Sequence, residues 1–240
     1  MATAPATPSP RAGMLNEIGT LLRNRYRFFA EVRDGVEVPR KIRAMLLYSM
    51  IFLALFGAVI GSDHSVWQAL ASGVKLPVLF LITLVVCLPA LYFFNTIYEA
   101  SLSLSQNFAL ILASITLTSV VLLGFAPVVL FFLISTSQYQ FFKLLNVGVF
   151  AIAGWVGIRQ LTQGMWMLTA HDRRGARARG RILRIWILLY AFVGSQLAWT
   201  LRPFFGAPGL PFELYRGLGG NFYTNIFASF GEILGFFTVR

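Results

Sequence analysis

Residues 78–94 and 110–134 run for 17 and 25 positions without one charged side chain. A helix rises about 1.5 Å per residue, so runs of this length match a bilayer core about 30 Å thick. Backbone N–H and C=O groups in lipid must be satisfied within the protein, which leaves helices or a closed barrel. Continuous apolar runs, without strict alternation, select helices. Composition agrees: the 240 residues are 57% hydrophobic and 12% charged, with mean hydropathy +0.71. A soluble domain carries about 25% charged residues, so this chain has too few polar groups to cover a water-facing surface.

Residues 169–184 orient the remainder. They place Arg173, Arg174, Arg177, Arg179, Arg181 and Arg184 between two apolar segments, with Asp172 the only acid. A short basic loop between spans marks the cytoplasmic side, because Lys and Arg are held back on insertion. The net charge of +11 would suggest nucleic acid in a soluble protein. Here the arginines cluster in the N-terminal region and this loop, where topology and anionic lipid account for them. No nucleic-acid partner is expected, and Arg173, Arg174, Arg177 and Arg179 are read as a lipid-facing basic cluster.

In chain order, residues 1–13 are Ala, Pro, Thr and Ser with one charge, a disordered tail without the apolar core of a signal peptide. Residues 14–43 form an amphipathic helix and basic linker. Leu15, Ile18, Leu22, Phe29 and Val32 recur at helical spacing, with Glu17, Arg23, Asn24, Arg27 and Glu31 opposite. Such a helix lies in the headgroup plane or packs on the protein's own cytoplasmic face. Residues 44–201 are the membrane domain. Spans are expected at 44–61, 77–94, 106–134, 141–158 and 182–201, with Pro77 starting the second and 66–72 forming separate turns outside. The third is too long for a straight crossing, at about 43 Å, so a tilted helix kinked at Pro127 is expected; Pro89 should kink the second. The fourth continues through 165–168 to the basic loop.

Parity supports five spans. Eight Lys/Arg precede the first, and the basic loop follows the fourth, while connections 62–76 and 135–140 hold one Lys and no Arg. The N-terminus is therefore expected inside and the C-terminus outside. Residues 202–240 form an outer loop and interfacial helix. Residues 201–216 contain three prolines, two glycines and four aromatics, which excludes a regular helix and predicts a pinned or re-entrant loop. Beyond it, Phe222, Ile226, Phe227, Phe230, Ile233, Leu234 and Phe237 form an apolar stripe, with Thr224, Asn225, Ser229 and Glu232 facing away.

Few residues carry candidate chemistry. Arg159 lies in the membrane region, where a charge is a functional hypothesis by default. Its expected partner, if buried, is Glu99; otherwise Lys143 and Arg159 snorkel to opposite interfaces. The outer loop is a candidate interaction surface through Arg202, Phe212, Glu213 and Tyr215. Residues 62–64 and 171–172 contain triad letters, but adjacent positions cannot build a nucleophile, base and orienter. Two histidines and one cysteine, Cys87, in an apolar run supply no metal cluster or disulfide framework. No catalytic residue, metal or cofactor is expected. Gly154, Gly157 and Gly164, with Ala151 and Ala153, predict close helix packing in the fourth span.

Residues 101–106 leading into 110–126 and Pro127, then a span ending at Gly157, Ile158 and Arg159, resemble the later spans of Yip1-domain membrane proteins. Those are five-pass proteins with a cytoplasmic N-terminus, and the resemblance covers about 70 residues. The C-terminal Leu201 to Phe204 and Leu210 to Leu214 patterns are similar to an uncharacterised family of bacterial five-pass membrane proteins. The Yip1 resemblance implies an accessory role in membrane traffic or organisation and supplies no functional residues. The expectation is therefore an all-α polytopic protein of five transmembrane helices flanked by amphipathic helices. It is expected to be non-enzymatic, an accessory or scaffold subunit in a bacterial inner membrane, with anionic lipid and a membrane protein as partners. The alternative is a small permease or channel subunit, favoured by the kinking prolines.

Overall fold

The computed structural model describes residues 10–63, 65–97, 102–136, 139–169, 176–204, 214–215 and 222–233. Among them there are eight helices and no strand: α1 (Pro10–Arg23), α2 (Arg25–Arg33), α3 (Val38–Gly61), α4 (Val66–Ile97), α5 (Leu104–Ser135), α6 (Tyr139–Leu168), α7 (Ala176–Thr200) and α8 (Phe222–Ile233). Helices α3 to α7 are each long and apolar enough to cross a membrane. The chain is an all-α, multi-pass membrane protein.

Successive spans alternate in direction. α3 packs on both α4 and α5, which touch each other; α6 lies on α5 and α7 on α4. Five crossings place the residues after α7 at the end of the bundle opposite α1 and α2. α5 is the core helix, every side chain from Ala109 to Thr116 being buried. Its start is fixed by a capping box, with Ser103 accepting from the Gln106 N–H and Gln106 closing back on the Ser103 N–H, which satisfies two orphan donors.

Several boundaries differ from expectation. α3 starts at Val38, not 44, because Pro39 occupies the first turn, where a missing N–H removes no helical bond. α4 is one helix from Val66 through Pro77 to Ile97, so Pro77 does not start it. The reason lies in α3. A Cβ on Gly57 would run into the backbone of Ser72 and Gly73, and one on Gly61 into that of Gln68 and Ala69. This small-xxx-small face draws residues 66–77 against α3, where an unwound backbone would leave polar groups unpaired. α7 begins at Ala176, inside the basic run. Both α4 and α5 continue unbroken past Pro89 and Pro127. In α6, Gly157 abuts Thr118, and Gly164 abuts Leu110 and Phe29, whereas Gly154 faces open space.

The flanking helices also differ in detail. The 14–32 segment is two helices broken at Asn24, whose side chain accepts from the Arg27 N–H. Phe28, Phe29 and Val32 are fully buried, so the apolar face of α2 packs on α5 and α6 of the protein itself. Glu17 does not take a water-facing side; it is buried. In α8 Asn225 accepts from Lys143 and Ser229 is buried, while Phe227 and Thr224 are exposed. Next to lipid the apolar side chain is the one that can face outward, and the polar ones find partners on the bundle.

Candidate functional site at the two bundle ends

At the N-terminal end the site is built around Lys41, one turn before Met45 on the buried stripe of α3 and only 2% exposed. Its Nζ lies 3.1 Å from Glu17 Oε2 of α1 and 2.9 Å from Glu31 Oε2 of α2, and 5.7 Å from the Phe28 ring centroid. Glu31 Oε1 also accepts from Arg27 Nε at 2.9 Å. Arg40 reaches Glu37 at 3.0 Å and Glu17 at 3.8 Å. Three cations thus face three carboxylates. The hydrogen bond from Lys41, seconded by Arg27, holds the Glu31 carboxyl below its ordinary range against the opposing effect of burial. It stays ionised, as a partner for a buried ammonium must.

Two amides complete this end. Gln106 Nε2 donates to the Val32 and Arg33 carbonyls at 3.1 and 2.8 Å, tying the start of α5 to the end of α2. Asn95 Nδ2 donates to Asn107 Oδ1 at 2.5 Å, and Asn107 Nδ2 to the Leu102 and Ser103 carbonyls. Both asparagines are buried, so this pair ties the end of α4 to the start of α5.

The opposite end centres on Lys75 of α4, 5% exposed. Its Nζ donates to the Pro203 carbonyl at 3.1 Å and to that of Leu214, and lies 5.0 Å from the Tyr215 ring centroid. Gln68 Nε2 donates to the same Pro203 carbonyl at 2.9 Å, and Ser72 Oγ to the Phe204 carbonyl. Gln68, Ser72 and Lys75 lie at spacings of four and three on one buried face of α4. They fasten the Pro203, Phe204 and Leu214 carbonyls after α7 to α4. Among the described residues no carboxylate pairs with Lys75. The third lysine, Lys143, donates to Asn225 Oδ1 at 3.1 Å and so holds α8 on α6.

The residues singled out in the sequence are distributed as follows. Arg159 is exposed, its guanidinium 5.5 Å from the Trp155 ring centroid; Glu99 lies outside the described residues. Arg202 stacks on Trp199 at 3.6 Å, and Tyr215 joins the Lys75 cluster; Phe212 and Glu213 lie outside the described residues. So do Arg173 and Arg174. Arg177 is exposed, whereas Arg179 is 4% exposed and lines a small cavity with Met165, Trp166, Thr169, Gly180 and Leu183. Among the described residues no group of three or more His, Cys, Asp or Glu could hold a metal ion.

Sequence reasoning passed over Lys41, Glu17, Glu31, Gln68 and Lys75. Their signal was periodicity: Lys41 falls in register with Met45, Ser49, Leu53, Phe56 and Ile60, and Lys75 with Leu79, Thr83 and Cys87, all buried. A charge on an apolar stripe asks for a partner from elsewhere in the chain. No family model matches the chain, and no curated protein or solved structure does.

Proposed function

We propose that this multi-pass protein is a non-enzymatic accessory or scaffold subunit of a membrane complex. In this reading α1 and α2 face the cytoplasm and the segment after α7 faces outward across a bacterial inner membrane. The observation that carries it concerns the three lysines. Each is turned into the protein at a junction between a spanning helix and a peripheral element: Lys41 at α1 and α2, Lys75 at the segment after α7, and Lys143 at α8. A chain that fastens its described peripheral elements to its spans presents two fixed platforms, one on each side of the bilayer. Fixed platforms suit docking of other membrane subunits, because preorganised surfaces bind with less ordering cost.

The test is purification of the natively expressed protein in mild detergent, followed by the mass of the intact assembly. A second protein at fixed stoichiometry, lost when Lys41 or Lys75 is replaced by Met, is the expected result. A homo-oligomer with no second component overturns the scaffold reading and favours the permease alternative.

A further inference from the structure

α7 is the least enclosed of the five spans. Only 11% of its apolar stretch is buried, against 28% or more in each of the others. Trp186 and Gly194 face α4: the Trp186 indole donates to the Cys87 carbonyl at 2.9 Å, and Gly194 lies beside Thr83. Away from α4, Ile185, Leu189 and Phe192 are exposed, and Gln196 continues their strip, at spacings of four, three and four. That is the repeat of two helices packing side by side. Ser195 bonds to Tyr223 of α8. Successive helix positions point about 100° apart, so α8 covers a different flank. The main-chain carbonyl of Gln196 accepts from Thr200, but among the described residues its side-chain amide has no hydrogen-bond partner. Gln196 lies twelve residues past Arg184 and six before Arg202, about 18 and 9 Å along a helix. It therefore stands within the hydrocarbon, where an unmade amide hydrogen bond costs most.

We propose that α7 pairs with α7 of a second copy of this chain in the bilayer, the two Gln196 amides bonding to each other across the pair. The choice of occupant follows from the amide. It carries both donors and an acceptor, so two copies related by a two-fold axis satisfy each other with reciprocal N–H···O bonds. A closed two-fold contact uses the same surface on both subunits. Copies inserted in one membrane share their orientation, which sets the axis normal to the bilayer and the two α7 helices parallel. Equal positions then face each other: Ile185, Leu189 and Phe192 meet their counterparts, and Gln196 meets Gln196. One polar residue in an apolar seam fixes the register, because any slip leaves both amides unpaired. Apolar surface alone selects no partner here, since lipid tails are as apolar as leucine; side-chain packing and the interhelical hydrogen bonds do. Arg181 falls at the inner end of the same strip, before the apolar run begins, where water and salt screen its repulsion from its counterpart. The pairing is independent of the scaffold reading and needs only that α7 spans the membrane.

Purified full-length protein, carrying one dye per chain and reconstituted in vesicles of phosphatidylcholine and phosphatidylglycerol, tests it by photobleaching steps per assembly as the protein is diluted into lipid. A dimer that dissociates on dilution is expected. Q196L should weaken it about tenfold, the scale of an interhelical polar contact in model peptides. Q196N, which keeps the amide, should weaken it less, and L55A, on the exposed face of α3, hardly at all. Unchanged dimerisation in Q196L, or an equal loss in L55A, overturns the seam. Monomers at every dilution overturn the second copy and leave lipid or another protein's helix as the cover of this face. Where Q196L fails to elute as folded protein, cross-linking with Gln196 intact decides. In a C87A chain, which lacks the one native cysteine, L189C should oxidise to a covalent dimer several times faster than L55C, since facing seam positions come within reach of a disulfide. Equal rates mean random collision and overturn the proposal. No second protein is present in these experiments, so failure of the scaffold test leaves a dimer standing, and a monomer here leaves the scaffold reading standing.

Discussion

Lys41 and Lys75 are equally buried and solve the same problem in opposite ways. Lys41 meets two carboxylates from two helices, Glu17 and Glu31. Lys75 meets main-chain carbonyls and the face of Tyr215. A buried ammonium is tolerated only with its donors satisfied and its charge compensated. Carboxylates compensate with full charge, and the bond is mutual, since each acid also needs the lysine. Carbonyls and an aromatic ring compensate with partial charge, and when the lysine is lost no charge is stranded. The first arrangement is a strong lock vulnerable to protonation; the second is weaker and indifferent to acid. A lysine serves both because three donors on a flexible stem can reach separate acceptors, which a planar guanidinium does less well.

The comparison can be broken most forcefully at Lys41. K41M leaves Glu17 with only the 3.8 Å contact of Arg40 and Glu31 with only Arg27, and a loss of about 3 kcal/mol is expected, read as a lower melting temperature in detergent and early proteolysis in α1 and α2. The triple change K41M/E17Q/E31Q should recover part of it, because part of the cost lies in carboxylates that keep only one cation each. A triple variant no better than K41M would mean packing, not charge, sets the loss.

K75M should cost less, about 2 kcal/mol, the scale of hydrogen bonds to a charged donor. Gln68 still holds the Pro203 carbonyl, so the segment after α7 should loosen while α1 and α2 keep their protease resistance. Cleavage rates at the two ends, compared in each variant, measure how independent the two locks are.

Acid separates the ends without mutation. Glu31 ionises below its ordinary value of 4.5 in the folded chain, so the folded state binds fewer protons than the unfolded one there. Its contribution is fully present above that ordinary value and is lost as pH falls through the lowered one. Hydrogen exchange in α2 should therefore rise as pH falls below 4.5 and through the lowered value, with the contacts of Lys75 to Pro203 and Leu214 unchanged. Parallel loosening of both ends would contradict the distinction. The smallest effect is expected from R40Q: its contacts to Glu37 and Glu17 involve a side chain 42% exposed, and exposed pairs contribute about 0–1 kcal/mol.

The amino-acid sequence by itself determined that this chain is an all-α membrane protein with five helices long and apolar enough to span. Charge-free runs such as 110–134 admit no other solution in lipid, and that constraint acts locally, through length and hydropathy. The capping box at Ser103 and Gln106 is likewise a contact between neighbours, although the expected span began at 106. Tertiary structure decided where α4 begins, since Pro77 reads as a helix start until Gly57 and Gly61 draw residues 66–77 onto α3. It decided which face of α8 meets the bundle, because an amphipathic stripe beside lipid can turn either way. Above all it decided the partners of Lys41 and Lys75. Glu17 and Glu31 look like solvated positions on an isolated helix, and the Pro203 and Leu214 carbonyls belong to every chain alike. Only when α1, α2 and the segment after α7 fold back on the spans do these groups converge, and the free energy of removing a lysine from water depends on that convergence.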